Sequence, residues 1–130
     1  MRLGFTGTQK EMTIEQFEII LWLLKYYNPI SVHHGDCIGA DYEFHKLCRL
    51  KSAHTMIVLH PPINPKKRAF CNGDLIVNPK PYLERNKDIV NRCDLLIAVP
   101  GEKKEQLRSG TWSTIRYARK VGKPHIVILP

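Results

Sequence analysis

Leu95-Leu96-Ile97-Ala98-Val99-Pro100, followed after a polar loop by Ser109-Gly110-Thr111 and a run of helical spacing to Val121, reads as strand, phosphate loop and helix. A buried parallel strand needs apolar residues on both faces, and Leu95 to Val99 supply them. The glycine lets backbone N–H groups approach an anion at the start of a helix, where unpaired donors and the macrodipole favour negative charge. The chain opens on the same logic, since Leu3-Gly4-Phe5-Thr6 runs directly into Gly7-Thr8. Two such loops at strand ends point to one shared nucleotide crevice.

Between them the pattern alternates. Thr13 and Gln16 form a capping box ahead of Ile14, Phe17, Ile20, Leu21 and Leu24, which recur at helical spacing until Asn28-Pro29. Ile30 to His33 is a short strand that feeds the glycine-rich turn Gly35-Asp36-Cys37-Ile38-Gly39-Ala40-Asp41, and Phe44, Leu47, Cys48 and Leu50 mark a second helix. Thr55 to Leu59 is a third strand, stopped by His60-Pro61-Pro62. From His60 to Pro81 periodicity fails, and prolines mix with Lys66, Lys67, Arg68 and Lys80. A long irregular segment of this kind is expected to be a flap or an interaction surface. Helical spacing resumes from Tyr82 to Arg92, and Gly122-Lys123-Pro124 delivers the final helix into a last strand, His125 to Leu129.

Strands alternating with helices require crossovers, so the expected fold is α/β: a single Rossmann-like domain over residues 1–130, with a mostly parallel sheet of about five strands in the order 3-2-1-4-5 and helices on both faces. Ligands bind such sheets beyond the carboxyl ends of the strands, at the switch between strands one and four. The binding residues expected there are Gly7 and Thr8, then Gly35, Asp36, Gly39 and Asp41, and finally Pro100, Ser109, Gly110 and Thr111.

Composition narrows the partners. The 130 residues carry 20 Lys and Arg against 12 Asp and Glu, a formal charge of +8 that favours nucleotides, nucleic acid or phosphorylated metabolites. No run reaches the roughly 20 apolar residues of a membrane span, and the start lacks a secretory pattern, so a cytoplasmic protein is expected. Cys37, Cys48, Cys71 and Cys93 form no CxxC pair and are read as reduced thiols. His33 and His34 point to opposite faces of a strand, and no metal site is expected.

Taken together, GFTGT near the start, HGDCIGAD after the second strand, ERNKDIV, DLLIAVP and SGTWSTIRYARKVGKPHIVI resemble the SLOG superfamily, in the branch related to DprA, YspA and the LOG cytokinin-activating proteins. The resemblance covers nearly the whole chain. It implies a Rossmann-like domain that binds nucleotides, NAD-derived molecules or nucleic acid; some members cleave N-glycosidic bonds, some sense ligands and DprA-like members bind single-stranded DNA. It sets Arg85 and Asn86 beside the phosphate or ribose. In LOG-type hydrolases the loop reads PGGxGTxxE, and its glutamate acts in cleavage; SGTWSTI has no carboxylate there. An oxocarbenium-like transition state needs negative charge or a base for water, so only Asp36, Asp41 or Glu84 could substitute. The expectation is a ligand-sensing protein for a nucleotide or an NAD- or ADP-ribose-derived molecule, with no cofactor required. The alternative is an N-glycosidic hydrolase, and single-stranded DNA binding comes third. Self-association into a homo-oligomer is left open.

Overall fold

The computed structural model describes residues 1–130. Its order of elements is β1 (Arg2–Gly7), α1 (Ile14–Tyr27), β2 (Ser31–His34), α2 (Ala40–Lys51), β3 (Met56–Leu59), a 3-10 turn (Pro65–Lys67), β4 (Leu75–Ile76), α3 (Tyr82–Arg92), β5 (Leu95–Val99), α4 (Gly110–Val121) and β6 (His125–Val127). All pairings are parallel, in the order β4-β3-β2-β1-β5-β6. The five expected strands keep their order, and β4 adds a sixth at the edge.

That sixth strand lies inside the segment expected to be irregular. It is two exposed residues long, too short to show periodicity. Hydrogen bonds around it compensate: Asp74 N–H donates to Ile57 O at 2.9 Å, Val77 N–H to Leu59 O at 2.9 Å, and the Asp74 carboxylate accepts the Ile57 N–H at 2.8 Å. The segment is therefore fastened to the sheet edge along part of its length.

The central strands carry the core because both their faces are covered. Leu3, Phe5, Val32, Ile57, Leu59, Ile97 and Val99 pack with α1 and α2 residues such as Ile20, Leu24, Phe44 and Leu47. Phe5 and Phe44 stack with ring centroids 4.1 Å apart. On the opposite face, Leu96 meets Ile89 and Val90 of α3, Cys93 just past that helix and Ala118 of α4. Burying one such aliphatic side chain contributes about 1.5–3 kcal/mol, so this double cover dominates stability.

The capping box at α1 has both halves: Gln16 N–H donates to Thr13 Oγ1 at 3.1 Å, and Thr13 N–H to Gln16 Oε1 at 3.0 Å. Gln16 is buried, and its amide also donates to Pro100 O at 2.9 Å and Ile128 O at 2.8 Å. One side chain thus starts α1 and ties it to the chain just past β5 and β6. Pro100, expected among the binding residues, has its carbonyl engaged in this tie.

Candidate functional site

Gly7 pairs with Val99 where β1 and β5 end side by side. Just beyond them an open cleft of about 710 Å³ is bounded by Gly7, Thr8 and Gln9 on one side and by Gly101, Glu102 and Arg108 to Thr111 on another. Its far wall comes from the long segment, through Pro62, Ile63, Asn64, Lys67 and Lys80, and from Tyr82 at the start of α3. The segment is a wall of the cleft rather than a separate surface.

At the floor, Ser109 caps α4 by accepting the Trp112 N–H on Oγ at 3.2 Å. Gly110 and Thr111 open the helix, so their N–H groups have no intrahelical acceptor and face the cleft from the positive end of the dipole. Thr8 differs: its N–H donates to Val99 O at 3.1 Å, its carbonyl accepts the Ala40 N–H at 3.0 Å and its Oγ1 accepts the Lys10 N–H at 3.1 Å, leaving the hydroxyl proton as its contribution. Three cations line the space. Lys80 is paired with Asp88 at 2.6 Å, whereas Lys67 and Arg108 form no ion pair. The loop carrying Arg108 is braced on α4, because Glu105 pairs with Arg116 at 3.1 Å and Arg119 at 2.8 Å. Trp112 packs against Ala98 and Ile115, away from the cleft.

Tyr82 separates this cleft from a niche of about 20 Å³, large enough for roughly one water. A methyl group at Gly110 would collide with the Tyr82 hydroxyl, so the ring tip rests on the first residue of α4. Behind it lie Arg85, Asn86, Asp41, Gly35 and Cys37. Arg85 is buried and donates through one guanidinium nitrogen to Gly35 O at 2.7 Å and His60 O at 3.3 Å, while its Nε has no partner. Asp41 is buried as well; one oxygen accepts the Cys37 N–H at 3.2 Å and the other has no partner. Desolvation pushes the Asp41 carboxyl up to about 6, against the opposing pull of the Arg85 charge.

The turn after β2 is built differently. Asp36 is fully buried with φ of 51°; one carboxylate oxygen takes Arg68 Nε at 3.0 Å and the other the Cys71 N–H at 2.9 Å. Both oxygens hold the long segment, and Asp36 lines neither cavity. Gly39, at φ 93°, lets this turn touch the first one, since a methyl there would come within 2.3 Å of the Gln9 backbone. Its contribution is close packing of two loops.

His34 Nδ1 accepts the Asp36 N–H at 3.0 Å, so its Nε2 carries the proton and donates to His45 Nδ1 at 3.0 Å. With Cys71 these rings bring three ligand atoms within 4.8 Å of one another. A neutral imidazole that keeps the Asp36 bond has no lone pair left on Nε2 for a metal, and burial pushes the Cys71 thiol up to about 12. On the other face of β2, His33 Nδ1 and His60 Nε2 lie 2.8 Å apart.

Of the residues singled out in the sequence, Gly7, Thr8, Ser109, Gly110 and Thr111 meet at the cleft; Gly35, Asp41, Arg85 and Asn86 meet in the niche. Asp36, Gly39 and Pro100 line neither, and Glu84 is exposed outside both. Sequence reasoning missed Glu102, Arg108 and Tyr82. Glu102 and Arg108 sit in the charged insertion between Gly101 and Ser109, whose position at a strand end was the available signal; Tyr82 had none.

No protein-family model and no curated protein matches the chain by sequence. Among solved structures, it is similar to the molybdenum cofactor binding protein of the phototrophic bacterium Rippkaea orientalis, with a TM-score of 0.75, 18% identity, 99% of this chain and 76% of that one covered. It is also similar to DNA processing protein A (DprA) of Streptococcus pneumoniae, with a TM-score of 0.71, 17% identity, and coverage of 97% and 49%, so the chain spans about half the length of that protein. Both comparisons show the same Rossmann-like fold.

Proposed function

We propose that the cleft between β1 and β5 binds a nucleotide or an NAD- or ADP-ribose-derived ligand, and that the protein acts by recognising it. The observation that carries this reading is the meeting of two free helix-start N–H groups with Lys67, Lys80 and Arg108 in one space at the switch point of the sheet. A phosphate there gains charge-assisted bonds that neutral ligands lack. The two structural neighbours, one named for binding a cofactor and one for processing DNA, agree with a domain that takes small molecules or nucleic acid. No helix is long and apolar enough to cross a membrane.

Hydrolysis of an N-glycosidic bond is the second reading, favoured by one observation. Asp41 is a buried carboxyl pushed up to about 6, beside a buried arginine, next to the cleft. Such a group suits proton transfer near neutral pH. Tyr82 stands between it and the cleft, which favours binding over turnover.

Thermal-shift titration with AMP, NAD, ADP-ribose, cyclic nucleotides and a single-stranded oligonucleotide at two salt concentrations tests the first reading, since ligands of the folded state raise its stability. Stabilisation by nucleotides that shrinks in Arg108→Ala is expected. Stabilisation by the oligonucleotide alone, with a steep salt dependence, would transfer the cleft to nucleic acid. Chromatography for released base, compared between the parent and Asp41→Asn, tests the second.

A further inference from the structure

Four carboxylates come into question for the cleft, and the structure sorts them. Both oxygens of Asp36 are bonded within the protein, at the end of β2 where dinucleotide-binding folds of this type keep an acid for ribose. Asp41 faces the niche behind Tyr82, and Glu84 is exposed outside both cavities. Glu102 alone lines the cleft. Its Oε1 is shielded from solvent without a hydrogen-bond partner, and none of Lys67, Lys80 or Arg108 pairs with it.

We propose that Glu102 accepts hydrogen bonds from the vicinal hydroxyls of a ribose 5-phosphate unit, so that the cleft selects ribonucleotides and ADP-ribose-type ligands over their deoxy counterparts. This rests on the reading of the cleft as a nucleotide site. An ionised carboxylate only accepts hydrogen bonds, and so does a ligand phosphate, so the group facing Glu102 must donate. The cations and the helix start serve the anionic end of the ligand; Glu102 serves a neutral end with donors. A base edge with amino and imino groups also donates, but it lies across the sugar from the phosphate. Glu102 follows Gly101, which packs against the end of β1: a methyl there would come within 2.9 Å of Thr8 Oγ1. The two oxygens of a carboxylate match the paired donors of a vicinal diol, and a deoxy sugar lacks one of them.

The experiment is calorimetry on the full chain with three pairs: AMP and dAMP, ADP-ribose and its 2′-deoxy form, ribose 5-phosphate and 2-deoxyribose 5-phosphate. The parent is expected to bind the ribo member about 10- to 100-fold more tightly, as suits a hydrogen bond to a charged group. Glu102→Ala should abolish that preference, and Glu102→Gln, which keeps the shape and one acceptor, should retain part of it. Equal binding of ribo and deoxy members overturns the assignment and leaves the nucleotide site standing. A ribo preference that survives in Glu102→Ala overturns it too, because another group then reads the sugar. An effect of Glu102→Ala confined to GMP against AMP assigns the residue to the base instead. Failure of every pair to bind overturns the nucleotide reading and this assignment together.

Discussion

The turn after β2 and the loop after β5 both join a parallel strand to a helix through glycine, yet they put their polar groups to opposite uses. After β2, Asp36 closes on Arg68 and the Cys71 N–H, its amide closes on His34, and Gly39 is packed onto the first loop. After β5, the Gly110 and Thr111 amides, Arg108 and one oxygen of Glu102 have no protein partner. Similar loops therefore serve cohesion in one place and leave hydrogen-bonding capacity for a ligand in the other. The satisfied loop should govern stability and the unsatisfied loop binding.

The largest effect is expected at Asp36. Asp36→Ala leaves Arg68 without its carboxylate and the Cys71 N–H without an acceptor, at a cost of about 3–5 kcal/mol in urea denaturation. A loss under 1 kcal/mol would break the comparison. Gly39→Ala should follow at about 3 kcal/mol, because alanine is strained at φ 93° and its methyl would strike the Gln9 backbone.

Acid titration sharpens the same contrast. Burial lowers His33 to about 4 and His60 to about 3, and His34 falls well below its ordinary value. These rings bind protons more readily unfolded, so their contribution is complete above about pH 6.5 and is lost as pH falls toward 4. Asp41 has the opposite sign. Raised to about 6, it takes up a proton in the folded state first, so its destabilising charge, present above pH 6, is relieved on acidification. The net expectation near pH 5 is a loss of stability as pH falls, because three buried rings oppose one carboxyl. Asp41→Asn should steepen that loss and stabilise the ligand-free protein above pH 6; a shallower curve would show that Asp41 is ionised at little cost.

Effects in the β5 loop should appear in affinity. Arg108→Ala is expected to weaken nucleotide binding by about 1.5–3 kcal/mol in calorimetry while the melting temperature stays within a degree or two. Gly110→Ala should be the mildest for the fold, within about 1 kcal/mol in denaturation. Its methyl meets only the tip of Tyr82, which can swing aside, and alanine favours a helix over glycine. A large loss of stability there would mean that Tyr82 is held as rigidly as the β2 turn.

The sequence by itself determined the α/β alternation, the parallel order of five strands, the α1 cap and the meeting of Gly7-Thr8 with Ser109-Gly110-Thr111. These follow from local periodicity and from the handedness of crossovers, which need no knowledge of distant partners. Only the tertiary structure decided which polar residues stay free. Asp36 and Glu102 follow two glycine-bearing strand ends, and nothing in their neighbours tells them apart. Asp36 is claimed by Arg68 and Cys71, more than thirty residues away, whereas no donor reaches the Glu102 oxygen. Arg85 likewise reads as a ligand contact until the fold turns it toward the carbonyls of Gly35 and His60 behind Tyr82. A hydrogen bond between distant segments depends on where the chain returns, and strand and helix periods leave that undetermined.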